Sequence, residues 1–152
     1  MEQEPVRLPI KKAEHAADIK LPCYMTEGAA GMDLYAAVDH CKTILPGEVA
    51  LIPTGLFVAV PYGYELQIRP RSGLAAKKGI GILNSPGTID SDYRGEIQVI
   101  IINLGQKPFT VKRHDRIAQM VLCPVSRAVP FETEALTSTT RDSGGFGHTG
   151  NT

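Results

Sequence analysis

The chain has 152 residues, with 16 Lys plus Arg against 16 Asp plus Glu and a formal net charge of zero. That length suits one domain with a real core, and the balanced charge argues against a nucleic-acid partner, which needs a basic excess to neutralise phosphates. Three cysteines (Cys23, Cys41 and Cys123) with no C-x-x-C pair suggest neither a disulfide framework nor a zinc site, so a reduced cytoplasmic setting is expected, or a nuclear one if the source is eukaryotic.

The first twenty residues, MEQEPVRLPIKKAEHAADIK, have no apolar segment and mix both charge signs, so no secretory or transit peptide is expected. No apolar run approaches the ~20 residues needed to cross a bilayer, which argues against a membrane partner. Beyond them, Val- and Ile-rich runs alternate with Gly, Pro, Asn and Asp, a strand pattern. Strands are predicted near 6–11, 32–36, 43–45, 49–54, 56–60, 64–70, 80–83, 96–103, 109–111 and 117–124. The single helical signal is SGLAAKK, 72–78, with Ser72 placed to cap the first turn and Gly79 to end it. Cys123, on an apolar strand, is expected in the core, and His15, His40 and His114 on the surface. Many short strands with almost no helix predict an all-β sandwich, jelly roll or barrel. The polar stretch 127–140 reads as a linker to a glycine-rich end.

Four loops combine glycine with charge. Asp33 enters a strand from AAGMDLYAA. In RPRSGLA, Arg69 and Arg71 stand beside a helix start and suit phosphate, although an arginine pair at a turn is also an ordinary solvated surface. In GILNSPGTIDSDYRGEIQV, apolar runs flank Asn84 to Gly87, so a β-hairpin is predicted. Asp90 and Asp92 then share a face if the strand continues and diverge if the chain turns at Ser91; both also suit a plain loop cap.

The fourth loop holds GFGHTG, Gly145 to Gly150, a literal match to the dinucleotide fingerprint. That fingerprint needs a preceding strand, a helix opening on its last glycine and an acid about 20 residues on. Only Asn151 and Thr152 follow, so this reading is set aside. Composition alone favours a disordered tail. Phe146, with Arg141 upstream and the Thr149 hydroxyl, instead suits a polyphosphate held against backbone N–H groups.

In order along the chain, AGMDLYA, PRSGLA, GTIDSDYRGEI, DRIAQMV and RDSGGFGHTG resemble the five motifs of the trimeric dUTPase family, covering nearly everything from Ala29 to Gly150. The resemblance implies a jelly-roll-like subunit, residues 1–126, and a linker and C-terminal arm, residues 127–152, exchanged within a homotrimer whose active sites lie between subunits. It implies hydrolysis of dUTP to dUMP and pyrophosphate with Mg²⁺ bound to the triphosphate, which keeps uracil out of DNA and supplies dUMP for thymidylate synthesis. By resemblance, Asp90 activates the attacking water, and Asp33 lies near the metal through water. Arg71, Ser72, Gly73 and Gln119 hold phosphates. Asn84, Gly87, Thr88 and Ile89 read the uracil edge, and Tyr93 stacks under the deoxyribose. Arg141, Phe146, Gly147, His148 and Thr149 close over the nucleotide. The related dCTP deaminase carries glutamate at the position of Asp90 and lacks the Asp-x-Asp-Tyr run. Regulatory phage members of the fold tend to carry an insertion between the fourth and fifth motifs, for which 121–141 is short.

Overall fold

Alternation of period two decides the architecture. In Glu96–Asn103 the side chains of Ile97, Val99, Ile101 and Asn103 are buried while those between them are not, the signature of a strand with one face on a core. The computed structural model describes residues 5–145. Its strands are β1 Ile10–Lys12, β2 Met32–Tyr35, β3 Lys42–Ile44, β4 Val49–Val58, β5 Tyr64–Arg69, β6 Ile80–Ile82, β7 Gly87–Ile89, β8 Glu96–Asn103, β9 Phe109–Val111 and β10 Arg116–Pro124. Helix α1, Ser72–Lys78, lies between β5 and β6, and a single 3-10 turn, Glu14–Ala16, follows β1. Among the described residues no helix is long and apolar enough to cross a membrane.

Two antiparallel four-stranded sheets form, in the orders β1-β4-β8-β6 and β2-β10-β5-β7, and a ribbon β3-β9 stands beside them. One apolar cluster joins them: Ile52, Leu56, Val99 and Ile101 from the first sheet, Leu34, Leu66, Ile68 and Met120 from the second, and Ile44 and Val111 from the ribbon. Each fully buried Leu or Ile contributes about 1.5–3 kcal/mol relative to exposure. The sandwich expectation holds; among the described residues the sheets keep separate hydrogen-bond ladders and do not close into one barrel. A smaller cluster of Ala16, Ile19, Tyr35 and Ala37 packs the N-terminal segment on the outside of β2.

Several local expectations need correction. The first strand starts at Ile10 rather than residue 6, because Pro5 and Pro9 lack the N–H that a ladder needs. The runs at 49–54 and 56–60 are one strand, β4, carried through Gly55 at φ +66. There the ladder steps from Pro53 opposite Gln98 to Phe57 opposite Glu96, leaving two extra residues on β4. An insertion of two keeps the alternation, so Ala50, Ile52, Leu56 and Val58 all face inward. The backbone groups freed by the bulge find partners: Thr54 Oγ1 donates to the Ile97 carbonyl at 2.6 Å, and the Gly55 N–H donates to Glu96 Oε1 at 2.7 Å.

The predicted hairpin around Asn84 to Gly87 does not form. β6 pairs with β8 in the first sheet, whereas β7 pairs with β5 in the second. The segment is therefore a crossing between sheets, with a cis Ser85–Pro86 peptide inside it. Neither pattern nor turn composition tells a hairpin from a crossing, since both need two apolar runs and a break. Cys123 is only half-buried and lies 3.8 Å from an Arg69 guanidinium nitrogen, because its parity on β10 turns it away from the core side of Met120.

Candidate active site

Helix α1 begins differently from its sequence signal. Arg71 is the N-cap, in extended conformation, and no side chain caps it; Ser72 is already the first helical residue. The first helical N–H groups have no intrahelical acceptor, and the Ser72 side chain is exposed beside them. Such a start suits an anion. The helix ends as expected on Gly79, left-handed at φ +68, whose N–H donates to the Ala75 carbonyl at 3.0 Å.

Three of the predicted charged or amide groups converge here. Asp33 on β2 pairs in register with Gln119 on β10, which pairs in turn with Arg69 on β5. Asp33 is buried, and its carboxylate meets Arg71 Nε at 3.3 Å and Arg116 Nη1 at 2.9 Å. Arg71 Nη1 donates to the Arg116 carbonyl at 3.1 Å, and Gln119 Nε2 donates to the Pro70 carbonyl at 3.0 Å. These groups, with Ser72, Gly73 and Gly31, line a cleft of about 270 Å³. A β-carbon on Gly31 would stand 2.7 Å from Gln119 Oε1 and would push that amide out of its present position. Arg116 lies within DRIAQMV, where nothing in the local pattern marks it as part of the site. Arg69, by contrast, turns its guanidinium to Gln67 Oε1, at 3.0 and 2.6 Å, and away from the pair. On the same side of the sheet, burial pushes the Tyr35 phenol above its ordinary range, with Cys23 and Asp33 adding to the effect.

A second group sits elsewhere on the sheet. Among the described residues β7 is the edge strand of its sheet: Gly87, Thr88 and Ile89 pair with β5 on one side and with no strand on the other. Gly87 is buried against Ile68, and the Asn84 amide lies beside it. The chain turns after Asp90: the Tyr93 N–H donates to the Asp90 carbonyl at 3.2 Å, and the Arg94 guanidinium holds the turn through the Ser91 and Tyr93 carbonyls, each at 2.8 Å. Asp90 and Asp92 thus occupy a turn rather than one strand face. Both line a hollow of about 440 Å³ with Tyr62, Glu65 and Arg127. The Tyr93 ring folds over Gly95, which has no β-carbon to block it, and its hydroxyl donates to the Glu96 carbonyl at 3.0 Å. The role of Gly95 has no local sequence signal either, since it depends on where the Tyr93 ring lies.

Asp33 of the first group and Asp90 of the second do not meet within the chain. Asp33 is level with Arg69 and Asp90 with Glu65, three strands and four residues away, on the order of 20 Å by ordinary sheet spacing. Arg141 belongs to neither: it lies in an exposed turn, its Nε donating to the Gly144 carbonyl at 2.8 Å. Phe146, Gly147, His148 and Thr149 lie outside the described residues. Among the described residues no three His, Cys, Asp or Glu groups cluster as a metal site, and Asp33 is the one acid in the cleft.

An all-β sandwich carrying an arginine-rich cleft at a helix start and a strand edge beside a carboxylate suits an enzyme that acts on nucleotide phosphates. Residues 17–150 match the family profile described as dUTPase, and the chain belongs to that family. It is 61% identical over 143 residues to a deoxyuridine 5'-triphosphate nucleotidohydrolase of Caldanaerobacter subterraneus subsp. tengcongensis, covering 94% of this chain and 97% of that one. A protein so named from Wolbachia pipientis wMel is 51% identical over 152 residues, covering 99% of each. In fold it resembles a dUTPase of Staphylococcus bacteriophage 80alpha, determined with dUpNHpp (TM-score 0.84, 23% identity, 95% of this chain and 98% of that one). It also resembles the dUTPase of phage phi11 of S. aureus, described with a structural Mg(II) ion (TM-score 0.75, 22% identity, 86% and 98% covered).

Proposed function

We propose that the chain hydrolyses dUTP to dUMP and pyrophosphate, in sites assembled between copies of itself in a homotrimer. The observation that supports this reading is the separation just described. Asp33, in the phosphate cleft of Arg71, Ser72, Gly73 and Gln119, and Asp90, at the end of the nucleoside edge of Asn84, Gly87, Thr88, Ile89 and Tyr93, lie on the order of 20 Å apart in one chain by ordinary sheet spacing, too far to serve one nucleotide together. Juxtaposing the cleft of one subunit with the edge of the next completes the set, an arrangement that closed cyclic symmetry allows.

In this reading the backbone of β7 reads the uracil edge by hydrogen bonds. A site built on such bonds rejects a base with the wrong donor pattern strongly. Tyr93, held by Glu96, packs under deoxyribose and leaves no space for a 2′-hydroxyl. Asp90 accepts a proton from the attacking water as its oxygen bonds to the α-phosphorus; the bond from that phosphorus to the bridging oxygen breaks, and pyrophosphate leaves. Cationic and N–H groups of the cleft stabilise the charge that builds up on the phosphates. Residues 127–152 are a linker and arm, with Arg141, Phe146, Gly147, His148 and Thr149 closing over the nucleotide on its own or another subunit.

Among the described residues the cleft offers one carboxylate, Asp33, so a magnesium ion carried in on the triphosphate would be held chiefly by the phosphates, with Asp33 reaching it through water. Bound there, it would neutralise phosphate charge.

The test is pyrophosphate release with Mg²⁺ from dUTP, dTTP, dCTP and UTP offered separately, for the wild type and Asp90→Asn. Release from dUTP alone, abolished by the substitution, is the expected result. Tight dUTP binding without turnover by the wild type would replace catalysis with a regulatory binding role.

A further inference from the structure

We infer that Arg116 is a positioning residue: through Asp33 it fixes the guanidinium of Arg71 at the mouth of the cleft. This rests on the reading that Arg71 binds the phosphates, and it assigns Asp33 a task separate from any metal.

The backbone supplies the first argument. Between β10 and β2 the register runs Gln119 opposite Asp33, Ala118 opposite Leu34, and then Arg116 opposite Tyr35, so β10 carries one extra residue there. Directly paired residues share a face. Without the bulge Ile117 would oppose Tyr35; with it, Ile117 is buried and Arg116 joins Asp33 and Gln119 on the outer face. A bulge gives up regular pairing and re-aims one side chain. Here the re-aimed side chain is an arginine that lands on Asp33 at 2.9 Å.

Geometry supplies the second. The two carboxylate oxygens of Asp33 are divided between the arginines, Oδ1 facing Arg71 Nε and Oδ2 facing Arg116 Nη1. Arg71 is held again by the Arg116 main chain, to whose carbonyl it donates. Arg71 thus has two anchors, one the carboxylate that Arg116 neutralises and the other the Arg116 backbone itself. Two guanidiniums side by side repel, and an intervening carboxylate removes that cost. Burial sharpens the effect: the Asp33 side chain is 11% exposed and that of Arg116 is 41% exposed, so the aspartate depends on its partners more than Arg116 does on Asp33. Arginines of this kind orient the group that touches the ligand, as outer partners orient metal ligands.

The experiment is a double-mutant cycle on kcat/KM for dUTP with Arg71→Lys, Arg116→Met and both together, adding Arg116→Lys as the conservative variant. Arg116→Met is expected to lower kcat/KM about 10- to 100-fold, the scale for misplacing a binding group by an ångström. Added to Arg71→Lys, it should cost no more than about a further threefold, because the group it positions is already altered. Arg116→Lys, which keeps a charge near Asp33, should recover most of the loss. Affinity for a non-hydrolysable imido analogue of dUTP, measured in EDTA, should fall in parallel, which separates this role from one through a metal; thermal melting tracks folding. Fully additive losses, with Arg116→Lys as poor as Arg116→Met, would make Arg116 a direct phosphate ligand and overturn the inference. If Arg71→Lys itself leaves kcat/KM unchanged, the phosphate assignment fails instead.

Discussion

Gly79 and Gly105 pack backbone against backbone: a β-carbon on Gly79 would stand 2.6 Å from the Gly105 nitrogen and 2.7 Å from its Cα. The contact ties the end of α1 to the loop after β8, where the Leu104 N–H donates to the Gly79 carbonyl at 2.9 Å. The buried Asn103 fixes the other side of that loop. Its Oδ1 accepts from the Gly105 N–H, and its Nδ2 donates to the Ile44 and Lys107 carbonyls, all at 2.9 Å. The far end of α1 carries Arg71, Ser72 and Gly73, so this joint sets where the cleft sits.

Gly79→Ala adds a methyl to a left-handed residue in a filled space. A loss of roughly 1–3 kcal/mol of stability is expected, from strain and overpacking together. Urea or thermal unfolding measures it. A change below a few tenths would mean that the loop yields freely and does not brace the helix.

Thr54 offers a sharper test of how β4 tolerates its bulge. Its hydroxyl donates to the Ile97 carbonyl and accepts from the Leu56 N–H at 3.3 Å, at full burial. Thr54→Val keeps the shape and leaves both backbone groups without a partner, for an expected cost of about 1–3 kcal/mol. Thr54→Ser keeps the hydroxyl and should retain the larger part of the stability. Equal losses in the two variants would assign the effect to the methyl group instead.

What the sequence made legible follows from distance along the chain. Apolar alternation placed most of the strands, and Gly79 marked the helix end, because both are decided by near neighbours. Partner choice is not local. The runs on either side of Asn84 to Gly87 join different sheets, and the runs 49–54 and 56–60 join into one strand through Gly55. Within the site, Asp33, Arg71, Ser72, Gly73 and Gln119 were each recognisable and the fold brings them to one cleft. Arg116 and Gly95 acquire meaning only through a bulge and a ring position that no spacing rule encodes.

The N-terminal segment is fastened by charge. Arg113 Nε and Nη2 donate to the two Asp18 oxygens at 2.9 and 2.6 Å, Nη2 also reaches the His15 carbonyl at 2.6 Å, and His114 Nε2 lies 3.1 Å from Asp18. The hydrogen bond from Arg113 holds the Asp18 carboxyl well below its ordinary 3.8, at about 2. Folding therefore favours the ionised form: the contribution is complete above the ordinary value and vanishes as pH falls to about 2. Asp18→Asn should lower the melting temperature by a steady amount near neutrality, with the difference from wild type closing between about pH 4 and pH 2. A gap that persists unchanged to the lowest pH would show that the pair contributes through shape alone.

The separation of Asp90 from Arg71 makes a prediction that needs no structure of the assembly. Arg71→Ala and Asp90→Asn should each be inactive alone, since each removes an essential group from every site. If the cleft and the nucleoside edge come from different subunits, unfolding and refolding the two variants together creates sites with an intact Asp90 from one and an intact Arg71 from the other. Random mixing at equal amounts gives such sites at roughly one quarter frequency, so about a quarter of wild-type kcat should return. Separately refolded variants mixed afterwards should stay inactive for as long as subunits do not exchange. Were both groups of a site supplied by one chain, every mixed assembly would be dead, and no ratio of the variants would restore turnover.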